Sequence, residues 1–284
     1  MRVGVHVSIA KALDLAIDRA IERDCNVFQI FTRNPRGWSY KPLDKDQIEK
    51  FSRKRRQHNF DVVVSHMPYL PNLASPRDEI YEKSVDTLIS ELDRCEKLGV
   101  KYLVIHLGSH LGLRMENGFK RLINALERAI HKSKGGTMML LENTAGTKNS
   151  LGSRFQDIKY ILDSLDNPKE VGICFDTCHA FAAGYDLRTE KSLDNVLKEF
   201  DSEIGLDLIK IFHLNDSKGE INSRLDRHEH IGLGNIGEEG FITMLKHNKF
   251  KNTPLILETP VNEVRDDIGN VLKVRELETL GSTM

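Results

Sequence analysis

Eight short apolar runs, each followed by a stretch with helical periodicity, constrain the fold of this chain more than any other feature. Most of the runs are continuously apolar rather than alternating, which is typical of parallel strands covered on both faces. The runs occupy residues 3–7, 27–31, 62–65, 102–105, 138–141, 171–175, 208–212 and 255–257. Strand and helix that alternate eight times predict a closed parallel barrel ringed by helices.

The intervening segments predict the helices of such a barrel. The clearest helix follows Ser75, which has Pro76 next to it and Asp78 three residues on, the pattern of a capping box, and it ends at Gly99. The other helices are predicted at residues 11–23, 43–58, 118–132, 155–165, 193–200, 238–247 and 264–280. The alternative is an open doubly wound sheet, which the lack of a glycine-rich phosphate fingerprint after the first strand disfavours. No linker interrupts the sequence, so we predict one α/β domain over residues 1–284, a (β/α)8 TIM barrel.

The composition limits the class of protein, its partners and the cellular compartment to be expected. Hydrophobic residues make up 39% and charged residues 29%, and the net charge is −1, so bulk charge does not announce a nucleic-acid partner. No apolar run is long enough for a membrane span, and residues 1–8 lack the layout of a signal peptide. The four cysteines show neither a disulfide framework nor a paired zinc pattern. We therefore expect a cytoplasmic monomer with reduced thiols and no membrane partner.

Side chains that bind metals recur where the predicted strands end. The residues at or just past the eight strand ends are His6, Thr32, His66, His106, Glu142, Asp176, His213 and Glu258. In a parallel barrel these ends meet at one rim, which is where active sites lie. His179 follows Asp176 closely, and Asp226 and His228 come soon after His213. A single histidine is more often a core residue, but a whole set at matched positions would be costly to bury unpaired, so it predicts a multinuclear metal site at the C-terminal ends of the strands.

The number of candidate ligands indicates how many ions such a site would hold. Five histidines and four carboxylates make nine candidates, namely His66, His106, Glu142, Asp176, His179, His213, Asp226, His228 and Glu258. Catalytic zinc usually takes three protein ligands, so nine ligands indicate two or three ions, with one carboxylate as a plausible bridge. Three Zn²⁺ would outweigh the four carboxylates and attract an anion such as a phosphodiester.

At these residues the chain resembles the endonuclease IV family, the zinc-dependent apurinic/apyrimidinic endonucleases of base-excision repair. The resemblance runs from about residue 6 to residue 260. It is carried by several blocks in the same order, among them SHMPYLPNLASP, LLENTAG, FDTCHAFAAGYD, HLNDSK with DRHEHIG, and PLILETP. Among the departures, Asn222 stands where the family has a glycine. No departure falls on a candidate ligand.

The resemblance implies three Zn²⁺ ions with defined ligands. His66, His106 and Glu142 would hold the first ion. The second would be held by Glu142 as a bridge together with Asp176, His213 and Glu258. His179, Asp226 and His228 would hold the third.

The resemblance also implies the reaction and the partner. The expected enzyme is of the deoxyribonuclease IV (phage-T4-induced) type and acts on double-stranded DNA that contains an abasic site. It would hydrolyse the phosphodiester 5′ to that site with a zinc-bound hydroxide, leave a 3′-hydroxyl, and also trim blocked 3′ ends. Glu142 and Glu258 would be the catalytic carboxylates. Arg36, Tyr69 and Leu70 would fill the gap left by the abasic nucleotide.

Two other functions fit part of the sequence. A sugar isomerase or epimerase shares the barrel and its strand-end ligands, but it would hold one or two divalent ions and give no role to the set of His179, Asp226 and His228. A non-catalytic protein that binds damaged DNA would need the apolar loop but not a complete ligand set.

Overall fold

The computed structural model describes residues 1–283, in which eight parallel strands form a nearly closed barrel surrounded by helices. The barrel strands are β1 (Val3–Val5), β2 (Phe28–Ile30), β3 (Val63–His66), β4 (Tyr102–His106), β5 (Met138–Glu142), β6 (Val171–Asp176), β7 (Ile209–His213) and β10 (Leu255–Leu257). Two short strands, β8 (Asp216–Ser217) and β9 (His228–Glu229), pair with each other outside the barrel. Each barrel strand lies within a residue or two of a predicted run. The predicted α/β TIM barrel is therefore confirmed.

The strands are arranged in the order β1-β10-β7-β6-β5-β4-β3-β2, with every neighbouring pair parallel. Between β1 and β2 the ring is completed by a single bridge between His6 and Gln29, where the Val7 amide donates to the Gln29 carbonyl at 2.8 Å. Gly4 permits this approach, because a Cβ there would lie 1.7 Å from the Val27 carbonyl oxygen.

Ten helices of the described chain follow or flank the strands. They are α1 (Leu15–Glu22), α2 (Lys45–Gln57), α3 (Asp78–Leu98), α4 (Met115–Lys132), α5 (Phe155–Asp163), α6 (Thr177–Ala183), α7 (Glu190–Glu203), α8 (Gly237–Lys246), α9 (Asn248–Asn252) and α10 (Asp267–Thr283). The sequence did not predict α6 or α9, which are too short to show a periodic pattern. Among residues 1–283, no helix has the length and apolar character needed to cross a membrane.

The predicted capping box at the start of α3 is wrong. The helix begins at Asp78 with Arg77 as its N-cap, which makes no side-chain cap hydrogen bond. The Ser75 hydroxyl instead accepts from the Arg77 amide at 3.2 Å, which forms a local turn before the helix. At the other end, Gly99 adopts a left-handed conformation (φ 65°) and ends the helix as predicted.

The core has two layers, one between the strands and the helices and one inside the barrel. The inner layer is a cluster of buried side chains from alternate strand positions, to which no helix contributes: Val27, Val62, Val64, Tyr102, Val104, Leu140, Cys174, Ile211 and Ile256. Since alternate side chains of a strand share one face, the residue two positions later in each strand also points inward, at the rim.

Candidate metal centre

The candidate ligands on the strands form the top layer of the barrel interior. Each lies two residues beyond an inward-facing apolar side chain, so the period of the strand aims it at the barrel axis. The pairs are Val64 and His66, Val104 and His106, Leu140 and Glu142, Cys174 and Asp176, Ile211 and His213, and Ile256 and Glu258. The structure therefore brings the six predicted strand-end ligands together at one rim.

On β2 the residue in this layer is Gln29, and the sequence-based choice of Thr32 is wrong. Gln29 lies two residues beyond Val27 and is fully buried. Thr32 comes after the strand has ended at Ile30, and its hydroxyl donates to Glu91 at 2.7 Å, away from the rim. The predicted run ended one residue beyond the observed strand, and the rim position lies inside that strand and not after its end, so the prediction missed it by three residues.

Glu142 joins two groups of ligands through its two carboxylate oxygens. Oε2 lies 3.4 Å from Nε2 of His66 and 3.3 Å from Nε2 of His106. Oε1 lies 2.9 Å from Nδ1 of His213. The same nitrogen of His213 is 3.3 Å from Glu258 and 3.8 Å from Asp176. In each of the two groups the possible ligand atoms lie within 4.8 Å of one another.

The third group is built from a helix, a loop and the short strand that follows the loop. His179 lies in the first turn of α6, where the Asp176 carboxylate caps the helix by accepting from the His179 amide at 2.8 Å. Nε2 of His179 is 3.1 Å from Oδ1 of Asp226, which is 3.9 Å from Nε2 of His228. Nε2 of His228 is also 3.7 Å from Asp176, so this group adjoins the second.

Most of the histidines are oriented by a contact on the ring nitrogen that faces away from the centre. Nδ1 of His66 lies 2.7 Å from the Met67 carbonyl, and Nδ1 of His179 lies 2.9 Å from the Asn143 carbonyl. Nδ1 of His228 lies 3.0 Å from the Glu258 carbonyl. In a neutral imidazole, a ring N–H that donates to a carbonyl leaves the other nitrogen unprotonated and free to bind a metal.

Gln29 performs the same task for His213, and it is a residue that the sequence analysis missed. Its Oε1 lies 2.9 Å from Nε2 of His213, so Nδ1 of that ring faces the carboxylates. Its amide nitrogen donates to Glu258 at 2.6 Å and lies 3.0 Å from Nδ1 of His6. His6, at the rim on the first strand, therefore contacts the side-chain amide of Gln29, and its Nδ1 lies 3.7 Å from Oε1 of Glu258.

Two further residues that the sequence analysis passed over hold the second and third groups. Asn215 donates to Asp176 at 2.7 Å and accepts from the Glu258 amide at 2.8 Å. The fully buried Asp216 accepts the backbone amides of Gly232, Gly234 and Ile236 at 3.0, 2.9 and 3.0 Å. Asp216 and Ser217 also form β8, which pairs with β9 (His228–Glu229). Asp216 therefore anchors the segment around β9, which carries the candidate ligand His228.

The electrostatics of the rim are those of closely paired acids and imidazoles. Burial opposes the charge on Glu142, but the imidazoles of His106 and His213 hold its pKa well below the usual 4.5. Burial also opposes the charge on His179, yet the carboxylates of Asp176 and Asp226 raise its pKa to about 10. In the described chain the ionic partners of these carboxylates are histidines, so the protons occupy the positions that cations would take.

A metal fits this donor set. Nε2 of His228 is buried and has no hydrogen-bond partner within residues 1–283, although it points at two carboxylates. An unpaired buried nitrogen costs free energy, and a bound cation would satisfy it. Imidazoles and carboxylates are ligands that zinc takes readily. The thiols of Cys174 and Cys178 lie close by, but burial raises the pKa of both, for Cys174 to about 12, which favours packed thiols over thiolate ligands.

Members of all three groups line one open cavity of about 510 Å³. Tyr69 lies at its mouth with 64% of its surface exposed, and Leu70 is 39% exposed beside it. The Tyr69 amide donates to the Pro35 carbonyl at 3.2 Å, which ties this segment to the loop that carries the exposed Arg36. Arg33 of the same loop is different, since it is buried and lies 2.7 Å from Glu91. The structure thus places Arg36, Tyr69 and Leu70 together on the surface next to the cavity.

Comparison with known proteins places the chain in a family. The family model described as "xylose isomerase-like TIM barrel" matches residues 17–276. A protein of Methanoculleus marisnigri named "probable endonuclease 4" is 54% identical over 276 residues, 97% of this chain and 98% of its own length. A "probable endonuclease 4" of Nitrosopumilus maritimus is 50% identical over 278 residues, 97% of this chain and 99% of its own.

Solved structures agree with the sequence relatives. The crystal structure of endonuclease IV from Thermus thermophilus is 32% identical, with a TM-score of 0.86 and complete coverage of both chains. A D-tagatose 3-epimerase-like protein also superposes, with a TM-score of 0.73 over 100% of this chain and 99% of its own, but at 23% identity it shows the shared barrel alone. This chain therefore belongs to the endonuclease IV family of xylose isomerase-like TIM barrels.

Proposed function

We propose that this chain is a zinc-dependent DNA-repair endonuclease that hydrolyses the phosphodiester 5′ to an abasic site and leaves a 3′-hydroxyl. The observation that carries the proposal is the pair of ligand groups on the two oxygens of Glu142, with a third group opening into the same cavity. Relatives and a solved structure named endonuclease 4 or IV support it. Trimming of blocked 3′ ends by the same centre is part of the proposal.

The residues that would hold three Zn²⁺ are the three groups described above. His66, His106 and Glu142 would hold the first. The second would be held by Glu142, Asp176, His213 and Glu258, and the third by His179, Asp226 and His228. When bound, zinc supplies a water molecule of lowered pKa and positive charge that offsets the charge of the phosphate.

The side chains of this protein prepare the centre for that chemistry. Glu142 is fully buried and contacts imidazoles through both oxygens, so it cannot turn away from either ligand group. Glu258 is held by Gln29 through Oε1, while Oε2 faces His213. This fixes a carboxylate at the wall of the cavity, where it can orient the attacking water. These positions support the catalytic roles that we propose for Glu142 and Glu258.

The surface beside the cavity suits a distorted duplex. A sugar without a base must leave the helix to reach the ligand groups, and apolar side chains that enter the minor groove open such a gap. Tyr69 and Leu70 are exposed apolar side chains at the cavity mouth, and Arg36 adds a positive charge. We propose that these three residues occupy the gap in double-stranded DNA.

The test is a measurement of zinc content together with nicking of a duplex that contains one abasic site. We expect about three zinc ions per chain and cleavage 5′ to the site. Removal of zinc by a chelator should abolish cleavage, and added zinc should restore it. One or two manganese or magnesium ions with no nicking would favour the sugar isomerase or epimerase alternative. Binding of damaged DNA without nicking by the zinc-loaded protein would favour the non-catalytic alternative.

A further inference from the structure

A second cavity, of about 500 Å³, lies beside the metal centre, between the loop after β1 and the loop after β2. All the charged residues that line it are basic. They are Lys11, Arg33, Lys41 and Arg94. Phe31 lines the metal cavity, and the next residues along the chain, Thr32 to Asn34, line this one. The two cavities are therefore separated by a single segment of chain at the same end of the barrel.

The floor of this cavity holds more positive charge than it can neutralise. Arg33 and Arg94 are each 5% exposed, and Glu91 is the buried carboxylate next to them, with Oε1 2.7 Å from Nε of Arg33. Two guanidinium groups and one carboxylate leave one positive charge. Nη1 of Arg33 is buried and makes no hydrogen bond within the described chain. Uncompensated buried cations are costly, so this group of residues favours an anion nearby.

The walls of the cavity are held in place by other arginine contacts. Arg94 donates to the carbonyls of Thr32 and Lys41, which closes the base of the loop after β2. Arg19 donates to the carbonyls of Ser8 and Ala10 at 2.6 and 2.9 Å, which holds the loop after β1. A cavity with fixed walls loses little entropy when it binds a ligand.

Lys11, on the first wall, has a left-handed backbone with φ of 75°. A residue with a Cβ adopts this conformation at a cost that glycine does not incur. The chain therefore keeps a lysine where a glycine would be unstrained, and strain of this kind is common at binding sites. The exposed charge of Lys11 at the edge of a basic cavity provides a reason for it.

We infer that this basic cavity, defined by Lys11, Arg33, Lys41 and Arg94, binds a backbone phosphate of duplex DNA, separate from the phosphate at the metal centre. The inference rests on the proposed function, because the two cavities are lined by consecutive residues of the loop after β2, so a duplex at the metal cavity would lie close to this one. Lysine and arginine side chains bind phosphate oxygens without reading the bases. The cavity should therefore contribute affinity for damaged and intact duplex alike.

The experiment measures binding of an intact, uncleaved duplex by fluorescence anisotropy over a range of salt concentrations. Lys11→Met combined with Lys41→Met removes two exposed charges from the cavity. We expect Kd to rise about tenfold at low salt and the slope of log K against log salt to fall by about 1, the loss of one phosphate contact. On an abasic duplex KM should rise by a similar factor, while kcat and zinc content stay unchanged.

The matched control is Lys191→Met combined with Lys198→Met, two exposed lysines on α7 in the outer ring. It makes the same change in net charge and should leave both Kd and the slope near the wild-type values. If the cavity variant and the control behave alike, the inference is wrong. The inference is also wrong if the cavity variant weakens binding to the abasic duplex alone.

Two further measurements separate binding from structure and DNA from a free anion. Lys11→Gly removes the charge and the strained backbone together, so Tm should be equal or higher while duplex binding weakens; a lower Tm with unchanged binding would assign Lys11 a structural role.

Inorganic phosphate at constant ionic strength should compete with duplex for the wild type more than for the double variant. If phosphate stabilises only the wild type and duplex binding is the same in both, the cavity takes free phosphate and not DNA. Absence of nicking by wild type that still binds duplex would overturn the proposed function instead.

Discussion

The ligand groups around Glu142 and the group around Asp226 are built in different ways, although they share one cavity. Ligands of the first two groups come from strand ends, and Glu142, Asp176 and His213 are fully buried. In the third group Asp226 lies on a loop with 47% of its side chain exposed. The strand-built groups are aligned by the barrel itself, whereas the loop-built group depends on Asp216 and its backbone contacts. Of the three zinc ions that we propose, we expect the one in this third group to be the easiest to lose.

Glu142→Gln should have the largest effect, because it weakens both strand-built groups at once. We expect activity to fall by several powers of ten, with loss of zinc from the two groups that share this side chain. Nicking rates and zinc content measured on the same preparation test this. Turnover near the wild-type value would contradict the bridging role of Glu142.

Asp216→Asn should affect the loop-built group and spare the other two. The amide replaces one acceptor oxygen with a donor that faces backbone N–H groups, at a cost of about 1–3 kcal/mol for each lost bond. We expect about one zinc ion fewer per chain by elemental analysis. The control is Asp186→Asn, a surface residue paired with Arg188, which should keep full zinc content. Equal loss of all three ions would remove the distinction between the groups.

Gln29→Met should weaken only the second strand-built group. Without the amide, His213 loses the partner on Nε2, and Glu258 loses a hydrogen bond. Such supporting contacts are worth about 10–100-fold in metal affinity. Competition with a zinc chelator measures the change, and Gln156→Met on the exposed face of α5 is the control. Unchanged zinc affinity would show that the barrel alone orients His213.

Tyr69→Ala with Leu70→Ala should leave zinc content at the wild-type level, because neither side chain belongs to a ligand group. We expect binding to an abasic duplex to weaken about tenfold, and binding to an intact duplex to change less. Tyr160→Ala with Leu272→Ala, on outer helices, removes similar exposed side chains as a control. If damaged and intact duplexes are affected equally, these residues do not fill the gap in the DNA.

The sequence predicted the barrel and the strand-end side chains that the structure brings together at one rim, because both follow from the periodicity of buried strands. The sequence also identified His179, Asp226 and His228 as candidate ligands, since their residue types bind zinc. It did not predict Gln29, Asn215 or Asp216 as supports, because the partner of an amide or a buried acid depends on contacts across the barrel. Gln29 has one sequence signal, a polar residue inside an otherwise apolar run.

Asn222 departs from the family pattern, and its backbone conformation explains why this residue is tolerated. The resemblance gives a glycine at this position, and the structure has φ of 60°, the left-handed region that asparagine tolerates better than most residues. The backbone amide of Asn222 donates to the Phe181 carbonyl at 3.2 Å, which helps to hold the loop before Asp226. The substitution therefore preserves the course of the chain.

The junction between β1 and β2 has the fewest paired residues of any in the barrel, and its single bridge lies at the end that carries the candidate metal centre. His6 and Gln29, which form that bridge, are the same residues that support Glu258 and His213. Thermal motion that separates the two strands would therefore also displace the candidate ligands Glu258 and His213. We therefore expect zinc to slow amide hydrogen–deuterium exchange at the junction of β1 and β2, so that the bound metal would also stabilise the closure of the barrel.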